Sequence, residues 1–383
     1  MGVRTVRIKA FAKHNAVMLT AFVAAAVTVL FVPIDSTYAG YLDMKTLICL
    51  FCVLAVVCAL RDVDFFYIIA CRIVRVFKTS RMCILALVYI SFLGSMLITN
   101  DAALLTFLPL GYFVLSSTGK EKYLPFTFIM QNMAANLGGM LMPFGNPQNL
   151  YLYTKFSIPT AEFLRIMLPP FLVSMLLITV CCLFVRSEPL SVSGKTVELK
   201  PKPTALYLAL FAVAVAVVLR ALPLWVGLTV IPAVLLVTDR HALEAVDYSL
   251  LLTFIFFFVF AGNMARIDAV RDFFSALMDK NTLLYSALSC QVISNVPSAI
   301  LLSQFTQNYA ELLRGVNIGG AGTLIASLAS LITFNEYMRH EPKGAKHFII
   351  EFSAFNFALL AVLLVIFSIF WKNCGASSAV FCI

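Results

Sequence analysis

Residues 98–110, ITNDAALLTFLPL, decide how the chain folds, because the polar triplet Thr99-Asn100-Asp101 interrupts an apolar stretch that runs from residue 82 to 116. A second apolar stretch, 283–313, carries a similar interruption at Ser294-Asn295-Val296-Pro297. Lipid cannot satisfy the N–H and C=O groups of backbone that leaves a helix, so such breaks must be buried in protein or line a wet cavity. We therefore expect two re-entrant helical hairpins with these polar residues at their tips.

The composition places the chain in a membrane. Hydrophobic residues make up 61% of the 383 residues and charged residues 12%, far outside the range of soluble proteins. The first apolar run, 16–33, is long enough to cross about 30 Å of hydrocarbon, and we expect a retained transmembrane helix rather than a signal peptide. The net charge of +9 is spread over short loops and not gathered in one patch, so we expect no nucleic-acid partner.

The distribution of basic residues predicts the topology. With a cytoplasmic N-terminus and two hairpins, 19 of the 28 Lys and Arg residues fall in cytoplasmic segments, as the positive-inside rule requires. Reading the first hairpin as a full crossing would move the lysines of the linker near residue 200 to the outside. We therefore expect a multi-pass protein of the cell (inner) membrane with its N-terminus in the cytoplasm and its C-terminus outside.

Two parts of the sequence follow the same order of features. Residues 43–47 and 247–251 each start with Asp and open a span that leads to an amphipathic segment, a hairpin and an Asn-Xaa-Gly-Gly stretch. In the predicted topology the two parts have opposite orientations, which is typical of secondary transporters with a binding site at the bilayer midplane. The sequence thus predicts an all-α polytopic membrane protein built from two inverted-topology repeats with re-entrant hairpins and broken transmembrane helices.

The predicted division of the chain has five parts. They are an N-terminal transmembrane helix in 1–40, a first repeat in 41–186 with hairpin 82–116 and broken helix 123–157, a cytoplasmic linker in 187–203, connecting transmembrane helices in 204–246, and a second repeat in 247–371 with hairpin 283–313 and broken helix 316–334.

Four segments resemble the signature segments of a known superfamily, in the same order. They are ITNDAALLTFLPL (98–110), ANLGGMLMPFGNPQNL (135–150), QVISNVPSAILLSQF (291–305) and NIGGAGTLIASLASLI (317–332). The match covers roughly residues 40–370 and resembles the ion transporter superfamily of arsenite permeases, citrate-type carriers, divalent anion:sodium symporters and one branch of Na⁺/H⁺ antiporters. The resemblance implies an elevator-type carrier, commonly a homodimer, with coupling-ion sites at the hairpin tips. The tips lack the Ser-Asn-Thr of the dicarboxylate symporters, and the Asn-Asp at 100–101 is closer to the arsenite-permease and citrate-type branches.

The helix breaks supply candidate sites for a coupling ion. A broken helix exposes free carbonyl groups at one half and free N–H groups at the other, and Na⁺ prefers carbonyl, amide and hydroxyl oxygens. Asp101 is the acidic residue that we place at membrane depth near a break, where it could neutralise Na⁺ or accept a proton. The predicted ion-binding residues are Thr99, Asn100, Asp101, Gly138, Ser294, Asn295 and Gly319. Simple capping of helix ends is the alternative role of the Asn and Ser side chains.

The glycine-rich stretches supply candidate sites for the substrate. Amide and hydroxyl groups there could bind the oxygen atoms of an anion, and glycines let backbone amides approach it closely. The predicted substrate-binding residues are Gly145, Asn146, Gln148, Asn149, Gly322 and Thr323. Polar contacts between packed helices are the alternative role.

The sequence therefore favours a secondary active transporter for a small inorganic or carboxylate anion, coupled to Na⁺ or H⁺. A Na⁺/H⁺ antiporter that uses Asp101, or an arsenite or antimonite efflux permease, remains an alternative. An intramembrane protease would need Ser–His or paired Asp at membrane depth, and no nucleotide-binding loop occurs, so we expect no enzyme. We expect no metal beyond Na⁺ as coupling ion and no other cofactor, since Cys49 and Cys52 lie in an apolar run without further ligands.

Overall fold

The computed structural model describes residues 15–190 and 199–370. Within these ranges every regular element is a helix, apart from one isolated antiparallel bridge between Thr79 and Pro189. Six helical stretches of the described chain are long and apolar enough to cross a membrane. The prediction of an all-α polytopic membrane protein is thus confirmed. The parts of the predicted segments at 1–14, at 191–198 and at residue 371 lie outside the described residues.

Residues 15–190, the described part of the chain before the gap in the linker, contain eight α-helices. They are α1 (Ala16–Val29), α2 (Met44–Asp62), α3 (Phe65–Val74), α4 (Ser80–Ile98), α5 (Asn100–Ser117), α6 (Leu124–Gly138), α7 (Pro147–Lys155) and α8 (Thr160–Leu183).

The second half contains nine α-helices, the last of which continues into a short π-helical turn. They are α9 (Pro201–Val218), α10 (Leu224–Thr238), α11 (Arg240–Glu244), α12 (Tyr248–Arg266), α13 (Asp268–Ile293), α14 (Asn295–Leu302), α15 (Tyr309–Ile318), α16 (Leu328–His340) and α17 (Ala345–Val365).

Equivalent side chains start equivalent helices in the two halves. Asp43 accepts a hydrogen bond from the Thr46 N–H at the start of α2, at 3.1 Å, and Asp247 accepts one from the Leu250 N–H at the start of α12, at 2.9 Å. Each carboxylate satisfies a free N–H of the first turn and interacts favourably with the positive end of the helix. The two aspartates that suggested the repeat are therefore N-caps.

The hairpins also start with caps. The Thr79 hydroxyl accepts from the Met82 N–H at the start of α4. Within α13 the backbone leaves the helical region at Asn281, whose side chain accepts from the Leu284 N–H at 3.1 Å. The kink divides α13 into a segment at 268–280 and the first arm of the second hairpin at 282–293. The second arm of that hairpin is α14, whereas α4 and α5 are the arms of the first.

The open end of the first hairpin is held by the beginning of the linker. Glu188 accepts hydrogen bonds from the ammonium groups of Lys120 and Lys122 and from the Tyr123 hydroxyl, and its backbone carbonyl accepts from the Ser80 N–H at 2.8 Å. The two lysines and the tyrosine lower the pKa of Glu188 to about 2. The first residue of α4 and the residues after α5 thus meet at Glu188, the former at its backbone and the latter at its carboxylate, so the hairpin returns to where it started.

The open end of the second hairpin is held by aromatic contacts. The rings of Phe274 and Phe305 stack with their centroids 5.2 Å apart, which joins the segment before the hairpin to the residues after it. The hydroxyl of Tyr309 donates to the carboxylate of Glu162 at 2.6 Å, just inside α8. This hairpin also closes on itself.

The helix ends in the structure differ from the predicted bounds of the second hairpin and the second broken helix. The hairpin was placed at 283–313 and the broken helix at 316–334, but α14 ends at Leu302 and α15 already begins at Tyr309. Residues 309–313, which the prediction gave to the hairpin, thus belong to α15, and this helix carries Glu311 and Arg314. The Arg314 guanidinium donates to Glu311 at 2.6 Å, and this pairing lets the two charges enter a buried helix.

The broken helices form the centre of the molecule. Residues 127–138 of α6, 147–153 of α7 and 312–318 of α15 are all buried. The first hairpin packs on α6 and the second on α15, while α16 crosses to α5 and α14 crosses to α7. The two halves therefore interlock at the points where their helices break.

Candidate functional site

The two hairpin tips have the same unusual backbone conformation. Thr99 has φ 66° and ψ 149°, and Ser294 has φ 74° and ψ 161°. This φ/ψ region is close to one that only glycine adopts freely, and a non-glycine residue held there destabilises the fold by about 1–3 kcal/mol. Side chains that keep such a conformation at equivalent positions point to a functional constraint on the backbone there.

Each tip is fixed by the broken helix of its own half. The N–H of Asn100 donates to the carbonyl of Gly145 at 3.1 Å, and the N–H of Asn295 donates to the carbonyl of Ala326 at 2.9 Å. Gly145 and Ala326 each lie two residues before a new helix, α7 and α16 respectively. Four helix starts are thereby brought together, those of α5, α7, α14 and α16.

The glycines predicted to bind an ion have a packing role in the structure. A Cβ atom on Gly138 would lie 2.3 Å from the carbonyl oxygen of Phe92 in α4, and one on Gly319 would lie 2.8 Å from the Cα atom of Ala287 in α13. Both glycines therefore let a broken helix approach the hairpin of its own half. Contact of their carbonyl groups with an ion stays a prediction.

Asn136 connects the first tip to the second half. Its side-chain oxygen accepts from Asn100 Nδ2 at 3.0 Å and from Ser327 Oγ at 2.8 Å, and its backbone carbonyl accepts from Asn146 Nδ2 at 3.1 Å. Asn136 and Ser327 were not among the predicted site residues.

Asn317 has the corresponding place in the second half. Its side-chain oxygen accepts from Asn146 Nδ2 and Gln148 Nε2, both at 3.2 Å. Its amide donates to Asn149 Oδ1 at 2.5 Å and to the Leu313 carbonyl at 2.7 Å. Asn317, like Asn136, opens an Asn-Xaa-Gly-Gly stretch, and this repeated asparagine was the signal in the sequence that could have identified both.

A cavity of about 830 Å³ opens beside this network. The starts of all four converging helices line it, and a helix start carries about half a positive charge together with free N–H groups. The lining residues at these starts are Asn100 and Asp101 of α5, Pro147 and Gln148 of α7, Asn295 and Val296 of α14, and Ser327 and Leu328 at α16.

Three residues that line the cavity each have a buried side-chain oxygen without a hydrogen-bond partner among the described residues. These oxygens are Oδ1 of Asn100, Oδ1 of Asp101 and Oε1 of Gln148, and Asn146 Oδ1 beside them is also unpaired. Buried polar atoms normally have a partner, so these oxygens suit a bound cation or a ligand donor. Carboxylate and amide oxygens are ligands that Na⁺ prefers.

The structure places only some of the predicted site residues on this cavity. Of the ion-binding set, Asn100, Asp101, Ser294 and Asn295 line it, whereas Thr99 and the two glycines do not. Of the substrate-binding set, Gln148 lines it. Asn146 and Asn149 are bonded to the asparagine network instead, and the Gly145 carbonyl is taken by the first tip.

Gly322 and Thr323 do not line the cavity and instead contact Gln291, which was not among the predicted site residues. Gln291 Oε1 accepts from the Thr323 N–H at 2.9 Å, and the Gln291 carbonyl accepts from the Thr323 hydroxyl at 3.1 Å. Gly322 has φ 120°, and a Cβ atom there would lie 2.1 Å from Gln291 Oε1. Their contact with substrate stays a prediction.

Comparisons with known proteins agree on one family. A family model described as Citrate transporter matches residues 10–315. The Uncharacterized transporter MJ0456 of Methanocaldococcus jannaschii is 34% identical over 293 residues, which are 76% of this chain and 80% of that protein. The Inner membrane protein YbiR of Escherichia coli K12 is 29% identical over 309 residues, 79% of this chain and 82% of the relative.

Proposed function

Because the chain belongs to the citrate transporter family, we propose that it is a secondary active carrier that moves a small carboxylate or inorganic anion, with Na⁺ or H⁺ as the coupling ion. Membrane transport is the common ground of the family and of the relative that is named a transporter. An enzymatic reaction has no place in this proposal.

The observation that carries the proposal is the convergence of four helix starts on one cavity. Anions bind at helix starts because free N–H groups and the helix dipole both favour negative charge. Among the residues that the structure describes, no Lys, Arg or His lines the cavity. The backbone would therefore supply the positive potential, and each of the four helices has eight or more residues.

The unpaired oxygens support a coupling cation next to the anion. Asn100, Asp101 and Gln148 offer three oxygens near the first tip, and Asp101 is the only acidic or basic side chain among the described residues that line the cavity. An unpaired carboxylate in a buried place is unfavourable unless a cation or a proton neutralises it. A cation held there would also attract the anion.

The matching contacts of the two halves support inverted repeats and a two-part movement. Positions 99, 100, 138 and 145 in the first half share their geometry with positions 294, 295, 319 and 326 in the second. The cavity lies between these elements and the pair α1 and α12. Under the proposal, hairpins and broken helices move together against the remaining helices. The carrier would be a homodimer in the inner membrane, with its N-terminus in the cytoplasm and its C-terminus outside.

The test is gradient-driven uptake by the purified chain in vesicles, with citrate, succinate, phosphate and arsenite as probes and with Na⁺ or a pH gradient as the driving force. Asn100→Ala and Asn295→Ala should each lower uptake tenfold or more, since each removes a buried polar contact at a tip. Asn356→Ala is the matched control: Asn356 is buried in α17 and donates to a carbonyl of its own helix. Full activity of both tip variants would refute the proposal.

The unpaired Asp101 also supports Na⁺/H⁺ exchange as a second candidate. Vesicles that contain a pH-sensitive dye and no transportable anion separate the two functions. Acidification or alkalinisation on addition of Na⁺ would favour the exchanger, whereas a response only in the presence of an anion favours the carrier.

A further inference from the structure

The cavity beside the tips is larger and more apolar than a small inorganic anion requires. Its volume of about 830 Å³ is near the upper end of the range of about 300–1,000 Å³ for sites that enclose organic ligands of drug size. Apart from the helix starts its lining is mainly aromatic and aliphatic, with Phe257 and Phe260 from α12, and Leu277 and Tyr285 from α13. Inorganic oxyanions make no use of such walls.

Most other polar side chains of the lining are already satisfied by neighbours. Thr20 and Thr253 donate to carbonyls one turn back in their own helices, at 2.9 and 2.7 Å, and the hydroxyls of Ser289 and Ser298 bond each other at 2.9 Å. The unpaired polar atoms belong to the helix starts, where Asn100 is 3% exposed and Gln148 is 1% exposed. The cavity thus has a polar part and an apolar part.

From this division we infer that the substrate of the proposed carrier is a monocarboxylate with an apolar body, which places its carboxylate at the helix starts and its body against α1, α12 and α13. The inference rests on the proposed function and names its substrate class. The described part of the lining has no cationic side chain and one carboxylate, Asp101. A tricarboxylate such as citrate would bring three charges to it, and burying unpaired charge is costly.

A membrane lipid is the other apolar molecule that could reach these walls. Val292 and Ile325 line the cavity and are 72% and 50% exposed, so the cavity is open to its surroundings. A lipid tail would need the walls but not the helix starts. An uncharged probe of the same length therefore distinguishes the two occupants.

The test is calorimetric titration of the full chain in nanodiscs with acetate, butanoate, hexanoate, citrate and hexan-1-ol, with empty nanodiscs as the reference. Each methylene that enters the apolar part should tighten binding about fourfold, so hexanoate should bind roughly a hundredfold or more tighter than acetate. Citrate and hexan-1-ol should bind more weakly than hexanoate. Equal affinity for acetate and hexanoate, tighter binding of citrate, or equal binding of hexan-1-ol would each overturn the inference.

Two substitutions in α1 test whether the gain in affinity from acetate to hexanoate arises at the cavity wall. Ala24→Phe fills the wall formed by α1 and should reduce the gain from acetate to hexanoate at least tenfold while acetate still binds, which also shows that the variant is folded. Val23→Phe makes a similar change at a neighbouring position that is 57% exposed and off the cavity, and should keep the full gain. An unchanged gain in Ala24→Phe would overturn the inference.

The same panel separates this inference from the proposed function. Gradient-driven uptake of citrate or phosphate without any preference for longer monocarboxylates would refute only the substrate class. Failure of every anion to bind or to be taken up would refute the carrier itself.

Discussion

The two halves of the molecule share their backbone geometry at the breaks but not their side chains. After the tip asparagine the first half has Asp101 and the second has Val296. After the second break the first half continues with Pro147-Gln148-Asn149 and the second with Leu328-Ala329-Ser330. The duplicated geometry supplies helix ends in both halves, whereas the unpaired oxygens are concentrated in the first. The repeated geometry thus positions helix ends in both halves, whereas the side chains that differ between the halves make the first half of the site the more polar one.

The hairpins also differ away from their tips, in the length of their arms and in the contacts at their open ends. The arms of the first hairpin have 19 and 18 residues, while α14 has 8. Ion pairs to Glu188 close the first hairpin, and stacking of Phe274 on Phe305 closes the second. If the first half provides the cation site, substitutions of equivalent residues should have unequal effects. Three comparisons between the halves and one at the open end of the first hairpin test these differences.

The largest expected difference is between Asp101→Asn and Val296→Thr. Asp101→Asn removes the only acidic or basic side chain that the described residues place on the cavity. Because contacts to charged groups contribute about 1.5–3 kcal/mol, the dependence of uptake on Na⁺ or H⁺ should fall tenfold or more. Val296→Thr should change uptake less than twofold. Ion titrations of uptake in vesicles measure both, and an equal effect of the two variants would contradict an unequal division of roles.

The second comparison is between the packing glycines. Gly138→Ala places a methyl group 2.3 Å from a backbone oxygen, whereas Gly319→Ala places one 2.8 Å from the nearest atom. Overpacking of this kind costs about 1–3 kcal/mol, and the first variant should lower the melting temperature more. Thermal unfolding followed by size-exclusion chromatography gives the ranking. Gly40→Ala, with no atom within 4 Å of the new methyl group, is the control; a shift as large in this variant would discredit the explanation.

The third comparison concerns the aspartates that cap α2 and α12. Asp43→Ala and Asp247→Ala should each cost about 1 kcal/mol, the usual loss on removal of an N-cap. Asp43 also accepts from the Thr46 hydroxyl at 2.6 Å, so its loss should be somewhat greater. The same unfolding measurement applies. Asp43→Asn and Asp247→Asn keep the accepting oxygen and should restore most of the stability, which a purely electrostatic role would not allow.

The smallest effect is expected at the open end of the first hairpin. Because the pKa of Glu188 is lowered from its ordinary 4.5 to about 2, its ion pairs stabilise the fold fully above about pH 4.5 and stop doing so as the pH falls toward 2. Glu188→Gln should therefore lower the melting temperature slightly at neutral pH, as exposed ion pairs contribute little, and the difference should shrink below pH 4.5. Glu121→Gln, in the adjacent exposed turn, should show no such trend, and a pH-independent difference for Glu188→Gln would exclude the ionic explanation.

The helix breaks could be predicted from the sequence because polar residues in the middle of an apolar run have few alternatives in a membrane. Thr99 and Ser294 are the residues at which the helices part. The start of α15 could not be found in this way, because the apolar pattern does not show that Arg314 and Glu311 form a pair. Where charges neutralise each other inside the protein, hydropathy underestimates the length of a helix.

The side chains that form the site were harder to predict from the sequence than the helix breaks. Asn317 bonds Asn149, which is 168 positions away, and Gln291 bonds Thr323, 32 positions away. Such partners are decided by the packing of the two halves, which no local pattern specifies. The sequence therefore indicated the stretches that meet, but not the side chains that Asn149 and Thr323 bond in the structure; their contact with substrate stays a prediction.

The unequal arms of the hairpins have an electrical consequence. At 1.5 Å for each residue, the 19 residues of α4 extend about 28 Å, while the 12 residues at 282–293 extend about 18 Å. Along the helix axis, the distance from the tip to the open end is therefore shorter in the second hairpin than in the first. A full crossing by one elementary charge changes its energy by about 2.3 kcal/mol for each 100 mV, so an ion that enters from the nearer face traverses the smaller share of the field. Membrane voltage should act mainly on exchange with the opposite face.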